Sequence, residues 1–322
     1  MSILLVDADS KKGFPNLALM KLSAWYKAQG HDIDFIKGLP EAPPLELYDR
    51  SYISVIYEKN RQKALDYALI LPNSIIGGTG WSLDNALEQK IEHIHPDYSL
   101  YDIDYSMGFT SRGCIRHCAF CVVPTKEGHI RDHAPIEEFH DPTHKKMILL
   151  DNNFLASPRF RENIQYLIDN KIQVNFNQGL DIRLLTKEVC DLLVQCKFTT
   201  WNFNARRLSF AFDSMRDEKA VRKGVEMLKN AGIAASSIMV YILVGWNTSI
   251  TQDLHRVRVI RDIGAWPYIM RYNGSNGESG ILKHLARWVN RRVYHTVDFA
   301  DYDYSDSKES YHKAFSKYCM HG

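Results

Sequence analysis

Residues 146–179 read KMILLDNNFLASPRFRENIQYLIDNKIQVNFNQG and contain two kinds of pattern. The runs KMILLD and QVNFNQG have the length of strands and are bounded by turn residues. Between them, PRFRENIQYLIDN repeats its apolar residues with the period of a helix and ends at the turn residue Asn170. A strand, a helix and a second strand in this order predict a βαβ unit with parallel strands and a right-handed crossover.

The same alternation continues on both sides of this unit, from Asp104 to Tyr272. Six strand candidates follow one another: YSMGFT, KMILLD, QVNFNQG, LSFAFD, SIMVYILVG and PYIMRY. The later strands are separated by three more helix patterns: KEVCDLLVQC, EKAVRKGVEMLKNAG and TQDLHRVRVIRDIGA. Six βα units in a row predict a partial (β/α)6 barrel whose chemistry lies at the carboxyl ends of its strands.

An earlier set of alternating patterns precedes the barrel. It consists of ILLVDAD, PNLALMKLSAWYKAQG, HDIDFI, YISVIY and SIIGGTGW, and Pro15 and Gly30 suit the two ends of its helix. This order predicts a small doubly wound, Rossmann-like domain. We therefore predict an α/β protein with a Rossmann-like domain over residues 1–95, a barrel over 96–275 and a C-terminal helical extension over 276–322.

Composition and charge narrow the class of protein. The 322 residues are 45% hydrophobic and 24% charged with a net charge of +2, so the chain has enough apolar residues for a core and no global basic field. Asp7 and Asp9 interrupt the first apolar run early, and no apolar stretch approaches the roughly 18 residues of a membrane span. We expect a cytoplasmic protein without a membrane partner.

The cysteines are unevenly distributed. Three of the six lie in CIRHCAFC, and the others are scattered as Cys190, Cys196 and Cys319, which is unlike the disulfide framework of a secreted domain. We predict that Cys190 and Cys196 are buried free thiols of one helix.

Crowded thiols in a reducing compartment indicate a metal or a cluster, and both zinc and a 4Fe-4S cluster need four ligands. His117, His129 or His133 could complete a zinc site. No second pair of ligands at zinc-knuckle spacing occurs, which favours the cluster.

The segment C-x3-C-x2-C, with the aromatic Phe120 before its last cysteine, resembles the signature of the radical SAM superfamily. The resemblance implies that Cys114, Cys118 and Cys121 bind three irons of a 4Fe-4S cluster and that the fourth iron binds S-adenosylmethionine (SAM). In the family, the reduced cluster cleaves SAM, and the resulting 5′-deoxyadenosyl radical abstracts a hydrogen atom from the substrate. An external one-electron reductant such as flavodoxin or ferredoxin is implied as a partner.

The resemblance covers roughly residues 105–275 and implies further contacts to the cosubstrate. Where the family often has a Gly-Gly-Glu turn facing the SAM amine, this chain has LLDNNF, so Asp151, Asn152 and Asn153 are candidates for that role. Arg183 and Asp213 follow the third and fourth strands, where related subfamilies contact the SAM carboxylate and ribose. Gly245 in YILVGWN would let the backbone approach the adenine closely.

Two related subfamilies fit less well. Residues 1–85 resemble the cobalamin-binding-like domain of one radical SAM subfamily, but its D-x-H-x-x-G motif is absent, so we expect a degenerate scaffold without cobalamin. The cysteine segment is also similar to that of the methylthiotransferases, which have three more N-terminal cysteines, whereas none precedes Cys114 here.

Other functions stay open at this point. A cobalamin-dependent radical SAM methyltransferase is one alternative, and a nucleic-acid-binding protein with a structural metal site is another. For a radical SAM enzyme, the substrate is a nucleotide, an RNA, a peptide or a small metabolite, and the sequence does not distinguish among them.

Overall fold

The computed structural model describes residues 1–9, 14–41, 44, 48–272 and 280–302. The chain divides into two compact units, the first made of Met1–Gly113 and Val122–Leu150, the second of Cys114–Cys121 and the chain from Asp151 onwards. The predicted boundaries at residues 95 and 275 stay predictions. Cys319 and part of the predicted C-terminal extension lie outside the described residues.

The first unit contains two parallel arrangements and one short antiparallel pair of strands. Its strands are β1 Ser2–Asp7, β2 Asp32–Lys37, β3 Arg50–Ser54, β4 Ser74–Gly77, β5 Ser106–Gly108, β6 Ser111–Arg112, β7 Arg131–Asp132 and β8 Lys146–Leu149. Its helices are α1 Leu17–Ala28, α2 Arg61–Ile70, α3 Gln89–Glu92, α4 Val123–Lys126 and α5 Ile136–Phe139. β1 to β4 form a parallel sheet in the order β2-β1-β3-β4, β5 pairs with β8 in parallel, and β6 and β7 are antiparallel.

Both faces of the four-stranded sheet are covered, as expected for a doubly wound fold. Alternate residues of β1 point to opposite faces, so Val6 packs in one core cluster with Tyr67 of α2, and Leu5 packs in another with Leu22 of α1. Helix α1 begins after Asn16, whose side-chain oxygen accepts a hydrogen bond from the Leu19 amide.

Helix α2 was not predicted from the sequence. Its apolar residues are spread around the helix, and within RQKALDYALI only Ala64 and Tyr67 are buried, so the sequence shows no helical period.

The glycines after β4 have a structural role. A Cβ on Gly78 or Gly80 would clash with the backbone of residues 55–58, so their lack of side chains permits close packing within the protein itself.

Glu92 is the centre of a buried charge network in the first unit. Its carboxylate lies 3.2 Å from Lys21 Nζ, 2.7 Å from Arg112 Nη2 and 3.0 Å from His133 Nε2. Burial alone would raise the pKa of Glu92, but the hydrogen bond with His133 and the positive charges of Lys21 and Arg112 outweigh it. They hold this pKa at about 2, below its ordinary value of 4.5.

We predict that Glu92→Gln reduces the loss of the free energy of unfolding as the pH is lowered. A carboxyl whose pKa is lowered in the folded state stabilises that state above its unfolded pKa of 4.5, and the gain disappears as the pH falls towards about 2. Urea unfolding at neutral pH and near pH 3 should show that the wild type loses about 2–3 kcal/mol more than the variant. Glu88→Gln removes an exposed carboxyl and is the control; equal acid sensitivity in Glu92→Gln and the wild type would contradict the prediction.

The second unit continues the strand and helix alternation. Its strands are β9 Gln173–Phe176, β10 Lys197–Phe198, β11 Leu208–Ala211, β12 Ile238–Val244 and β13 Trp266–Arg271. Its helices are α6 Phe160–Asp169, α7 Lys187–Gln195, α8 Glu218–Asn230, α9 Ile250–Asp262 and α10 Gly280–Asn290. β11, β12 and β13 form a parallel sheet in that order, β10 pairs in parallel with β9, and a parallel bridge joins Leu180 to Phe210.

The prediction of an α/β fold with parallel strands is therefore confirmed. All six strand candidates after Asp104 occur as strands, and the four helix patterns between them correspond to α6 to α9. In α8 the residues Val221, Gly224, Val225 and Leu228 are buried on one face, as the 3.6-residue period predicts. None of the described helices combines the length and the apolar character needed to cross a bilayer.

Candidate functional site

The three crowded cysteines lie in a short loop, Cys114–Cys121, that belongs to the second unit. All three side chains are partly exposed, and none forms a disulfide. A turn closes the loop, because the Cys121 amide donates to the Cys118 carbonyl at 3.0 Å. The loop therefore presents three free thiols close together at the surface of one unit.

Cys114 receives two hydrogen bonds at sulfur. The Arg116 amide lies 3.3 Å from Cys114 Sγ, and the side-chain amide of Asn153 lies 3.5 Å from it. N–H donors directed at a sulfur also hydrogen-bond to the cysteine ligands of metal and iron–sulfur sites. The surroundings of Cys114 are therefore suited to a thiolate ligand.

Cys118 lies within electrostatic range of several predicted site residues. Burial raises the pKa of the Cys118 thiol, the positive charge of Arg183 opposes this rise, and the nearby Cys121, Cys114 and Asp213 add to it. The fold thus brings the cysteine loop together with the residues that follow β9 and β11. Arg183 is the cation nearest Cys118 in this group and lowers its pKa, but burial and the neighbouring acidic groups raise the pKa overall.

No group of three or more His, Cys, Asp or Glu side chains among the described residues is arranged to hold a metal ion. A single zinc ion would need its ligands to converge within about 2.3 Å of one point. A 4Fe-4S cluster, by contrast, takes each thiolate on a separate iron, so its cysteines need not converge. The three free thiols, with hydrogen bonds at Cys114 and a cation near Cys118, are a donor set that fits such a cluster.

Asn153 is the predicted site residue with the most informative surroundings. Its side chain is 4% exposed, and while its Nδ2 donates to Cys114 Sγ, its Oδ1 is buried without a hydrogen-bond partner. A buried acceptor without a donor costs about 1–3 kcal/mol, so its presence beside the cysteines is consistent with a donor group supplied by a ligand. Of its two neighbours, Asp151 is buried and Asn152 is half-buried.

Asp181 connects the cysteine loop to Arg183 and was not predicted as a site residue. Its carboxylate lies 2.9 Å from Arg116 Nε and 2.7 Å from Arg183 Nε, and Arg183 also reaches Asp217 at 3.4 Å. Burial would raise the pKa of Asp181, but hydrogen bonds from the two arginines lower it, so the group stays ionised. Its position in the sequence does not indicate this role, because an Asp before a helical turn is commonly a cap, and Asp181 does accept the Arg183 amide.

Asp213 and Gly245 lie at the carboxyl ends of adjacent strands. Asp213 follows β11, and its Oδ1 accepts the Leu243 amide of β12 at 3.0 Å. Burial raises the pKa of Asp213, against the effects of that hydrogen bond and of the charges on Arg256 and Arg183. Gly245, directly after β12, has φ +83°, a left-handed conformation that favours glycine.

Three aromatic rings form a contiguous row at the same edge. The ring of Phe120, in the cysteine loop, lies 6.3 Å from that of Trp246, which lies 4.7 Å from that of Tyr272. Trp246 and Tyr272 follow the carboxyl ends of β12 and β13, and Trp246 is 39% exposed. An exposed indole in this position can stack on a planar ring.

Comparison with known proteins gives only weak similarities. No protein-family model matches the sequence, and no curated protein matches it. One solved structure, described as coproporphyrinogen III oxidase (HemN) from Escherichia coli, a radical SAM enzyme, has 11% identity and a TM-score of 0.35. The match covers 67% of this chain and 52% of that one, so the chain spans about half the length of that enzyme.

A second structure, a variant of SsGBP, has 8% identity and a TM-score of 0.22 over 92% of this chain and 98% of that one. At TM-scores this low, neither similarity establishes a common fold.

Proposed function

We propose that this protein is a radical SAM enzyme that binds one 4Fe-4S cluster through Cys114, Cys118 and Cys121 and binds SAM beside it. The observation that carries the proposal is the position of Asn153. Its side chain donates to a cluster cysteine and also holds a buried oxygen that lacks a donor. When bound, the cluster would supply the electron for reductive cleavage of SAM, and the cleaved cosubstrate would abstract a hydrogen atom from the substrate.

The residues around the loop would orient the cosubstrate. Asn153 Oδ1 would accept a hydrogen bond from the SAM amino group, which matches the role expected for the LLDNNF turn. Asp213 would accept from a ribose hydroxyl. Arg183 is already held by Asp181 and Asp217, so it would share its guanidinium with the SAM carboxylate while keeping a positive charge near Cys118.

The adenine would lie near Gly245 and Trp246. The left-handed backbone at Gly245 and the absence of a side chain would permit close approach of the purine, and the exposed Trp246 ring would stack on it. Phe120 supports Trp246 from the cysteine loop. These contacts would bind and orient SAM and would exclude water from the reacting atoms.

Reduced protein is expected to cleave SAM. After anaerobic reconstitution with iron and sulfide and reduction with dithionite, the full chain should convert SAM slowly to 5′-deoxyadenosine and methionine, measured by chromatography. The protein without reductant is the control and should give neither product. S-adenosylhomocysteine as the only product would replace the proposal with ordinary methyl transfer.

Variants of Asn153 test the residue that carries the proposal. Asn153→Leu should weaken SAM binding by about tenfold or more with iron content retained, because the acceptor for the amino group is lost. Asn153→Asp keeps that acceptor and should bind SAM more tightly than Asn153→Leu. Asn170→Ala, at the exposed end of α6, is the matched control, and equal SAM affinity in all four proteins would exclude the assigned role.

The finer features of the proposal follow the resemblance. The six βα units would form a partial (β/α)6 barrel, the reductant would be a flavodoxin or ferredoxin, and the protein would act in the cytoplasm. The N-terminal unit would serve as a scaffold without cobalamin, since Gly78 and Gly80 already pack against the backbone of residues 55–58.

A further inference from the structure

The segment CKFTTWNFNARR, residues 196–207, has an unusual composition for a loop. It contains three basic residues, Lys197, Arg206 and Arg207, three aromatic residues and no acidic residue. Its two ends lie at the amino edge of the second unit's strands, because Lys197 pairs with Gln173, the first residue of β9, and Arg207 directly precedes β11. The SAM site proposed above includes Asp213 and Gly245, which follow the carboxyl ends of β11 and β12.

The loop is held by its own hydrogen bonds and still exposes a large aromatic ring. The Thr200 amide donates to the Ala205 carbonyl at 2.9 Å, and the Phe203 amide donates to the Thr200 carbonyl at 2.9 Å. Phe203 has φ +57°, so the turn is tight. Trp201 at its tip is nevertheless 60% exposed. An indole fixed in solvent by a well-bonded loop is the arrangement of a stacking platform.

A depression of about 450 Å³ is lined by residues that precede and follow Trp201 in this segment, and it is within the usual size range of small-ligand sites. Its lining includes Lys197, Phe198, Asn204 and Arg206. The guanidinium carbon of Arg206 lies 4.5 Å from the centre of the Phe198 ring, so the cation is held over an aromatic face at the wall of the depression. The recess therefore combines a basic group, an aromatic ring and a side-chain amide.

Two more arginines share the ring of Trp266 at the same edge. Their guanidinium carbons lie 3.8 Å (Arg207) and 3.4 Å (Arg292) from the ring centre. Arg207 Nε is buried without a hydrogen-bond partner, and Arg207 Nη1 reaches only the weak acceptor Met239 Sδ at 3.8 Å. Among the described residues, no carboxylate forms an ion pair with either arginine.

Such a pair of cations is unfavourable without an anion. Burial lowers the pKa of Arg207, and the neighbouring charge of Arg292 lowers it further. A phosphate group would offset this repulsion and would supply the acceptor that Arg207 lacks, because guanidinium groups bind phosphate oxygens with two parallel hydrogen bonds.

We propose that a surface formed by Lys197, Arg206, Arg207 and Arg292 at the amino edge, together with Trp201 in the adjoining loop, binds single-stranded nucleic acid. Trp201 would stack on a base, the depression would take a neighbouring nucleotide, and the basic side chains would contact the phosphodiester backbone. The surface shares no residue with the proposed SAM site, so it would bind in the absence of cluster or SAM.

The test uses the full chain and fluorescein-labelled oligo(rU) and oligo(dT) of roughly ten nucleotides, a length within the usual site sizes. Fluorescence anisotropy at several salt concentrations should give association constants whose logarithm falls linearly with the logarithm of the salt concentration. Trp201→Ala should weaken binding by about 5- to 100-fold, whereas Trp201→Tyr should retain most of it. Arg207→Gln and Arg292→Gln should each reduce the salt slope by about one.

Arg222→Gln, which removes an exposed cation on α8 that pairs with Glu218, is the matched control and should change neither affinity nor slope. Tighter binding of oligo(rU) would favour RNA as the ligand, and equal binding of both strands would support contacts with the bases and phosphates that RNA and DNA share. No binding of either strand at low salt would overturn the proposal. Binding in which Trp201→Ala and the arginine variants behave like Arg222→Gln would also overturn it.

Discussion

Replacing Cys114, Cys118 or Cys121 by Ala is expected to abolish both iron binding and the brown chromophore of the reconstituted protein. The wild type should contain about four irons and four sulfides per chain, as one cubane requires. Each substitution would remove one of the three proposed cluster ligands, and the remaining two would not retain the cluster. Iron and sulfide analysis with a visible absorption spectrum measures the effect.

Cys190→Ala and Cys196→Ala are the controls for this prediction. Both thiols are buried, at 1% and 3% exposure, and burial raises the pKa of Cys196 to about 12, so neither is a thiolate ligand. These variants should keep the full iron content. About eight irons per chain would indicate a second cluster. A colourless protein with stoichiometric zinc would favour the structural-metal alternative, and corrin absorption bands would favour the cobalamin-dependent methyltransferase.

Strands and helices with regular apolar periods were predicted well from the sequence. In α8 and β12 the buried positions recur at intervals of three to four residues and of two residues, so each pattern specifies one element and one face. Helix α2 escaped prediction because only two of its ten residues are buried, which leaves no period to detect. Its helical state depends on packing of Ala64 and Tyr67 against the sheet, which is a tertiary effect.

The sequence predicts the site residues whose type is chemically informative, such as the cysteines. It does not predict residues whose role depends on their position in the folded chain. The cysteine spacing and the LLDNNF turn can be recognised in the sequence. The bridge from Arg116 through Asp181 to Arg183 depends on a contact between residues that are 65 positions apart in the chain. The exposed Trp201 and the arginines around Trp266 are also invisible in the sequence. Exposure and the lack of a carboxylate partner are properties of the folded chain, and neither can be read from residue order.

Arg256 is the clearest case of a residue whose sequence context misleads. It lies in a helix rich in charged residues, yet its side chain is fully buried. Its guanidinium donates to the Phe212 carbonyl at 2.6 Å, the Leu243 carbonyl at 2.8 Å and Asp253 Oδ1 at 2.6 Å. It therefore ties the ends of β11 and β12 together beside Asp213.

We predict that Arg256→Met lowers the free energy of unfolding by about 3–5 kcal/mol. The change keeps a side chain of similar length but removes the donor to the Phe212 and Leu243 carbonyls and the counterion of Asp253, which keeps only the hydrogen bond from Thr248 Oγ1 at 2.6 Å. Burying a charge without its counterion is costly. Because Asp213 directly follows Phe212, the variant should also bind SAM more weakly if Asp213 contacts the cosubstrate. Urea unfolding followed by circular dichroism measures the first effect, and SAM titration measures the second.

Arg222→Met is the matched control, since Arg222 pairs with Glu218 on the exposed face of α8 at 2.8 Å and should contribute under about 1 kcal/mol. Arg256→Lys keeps the charge and loses the planar fork, so it should fall between the wild type and Arg256→Met. Adding Asp253→Leu to Arg256→Met removes the carboxylate that lost its counterion. The double variant should therefore recover part of the lost free energy of unfolding, although the Phe212 and Leu243 carbonyls still lack their donor. A destabilisation of Arg256→Met no larger than that of Arg222→Met would show that the buried pair does not hold these strand ends together.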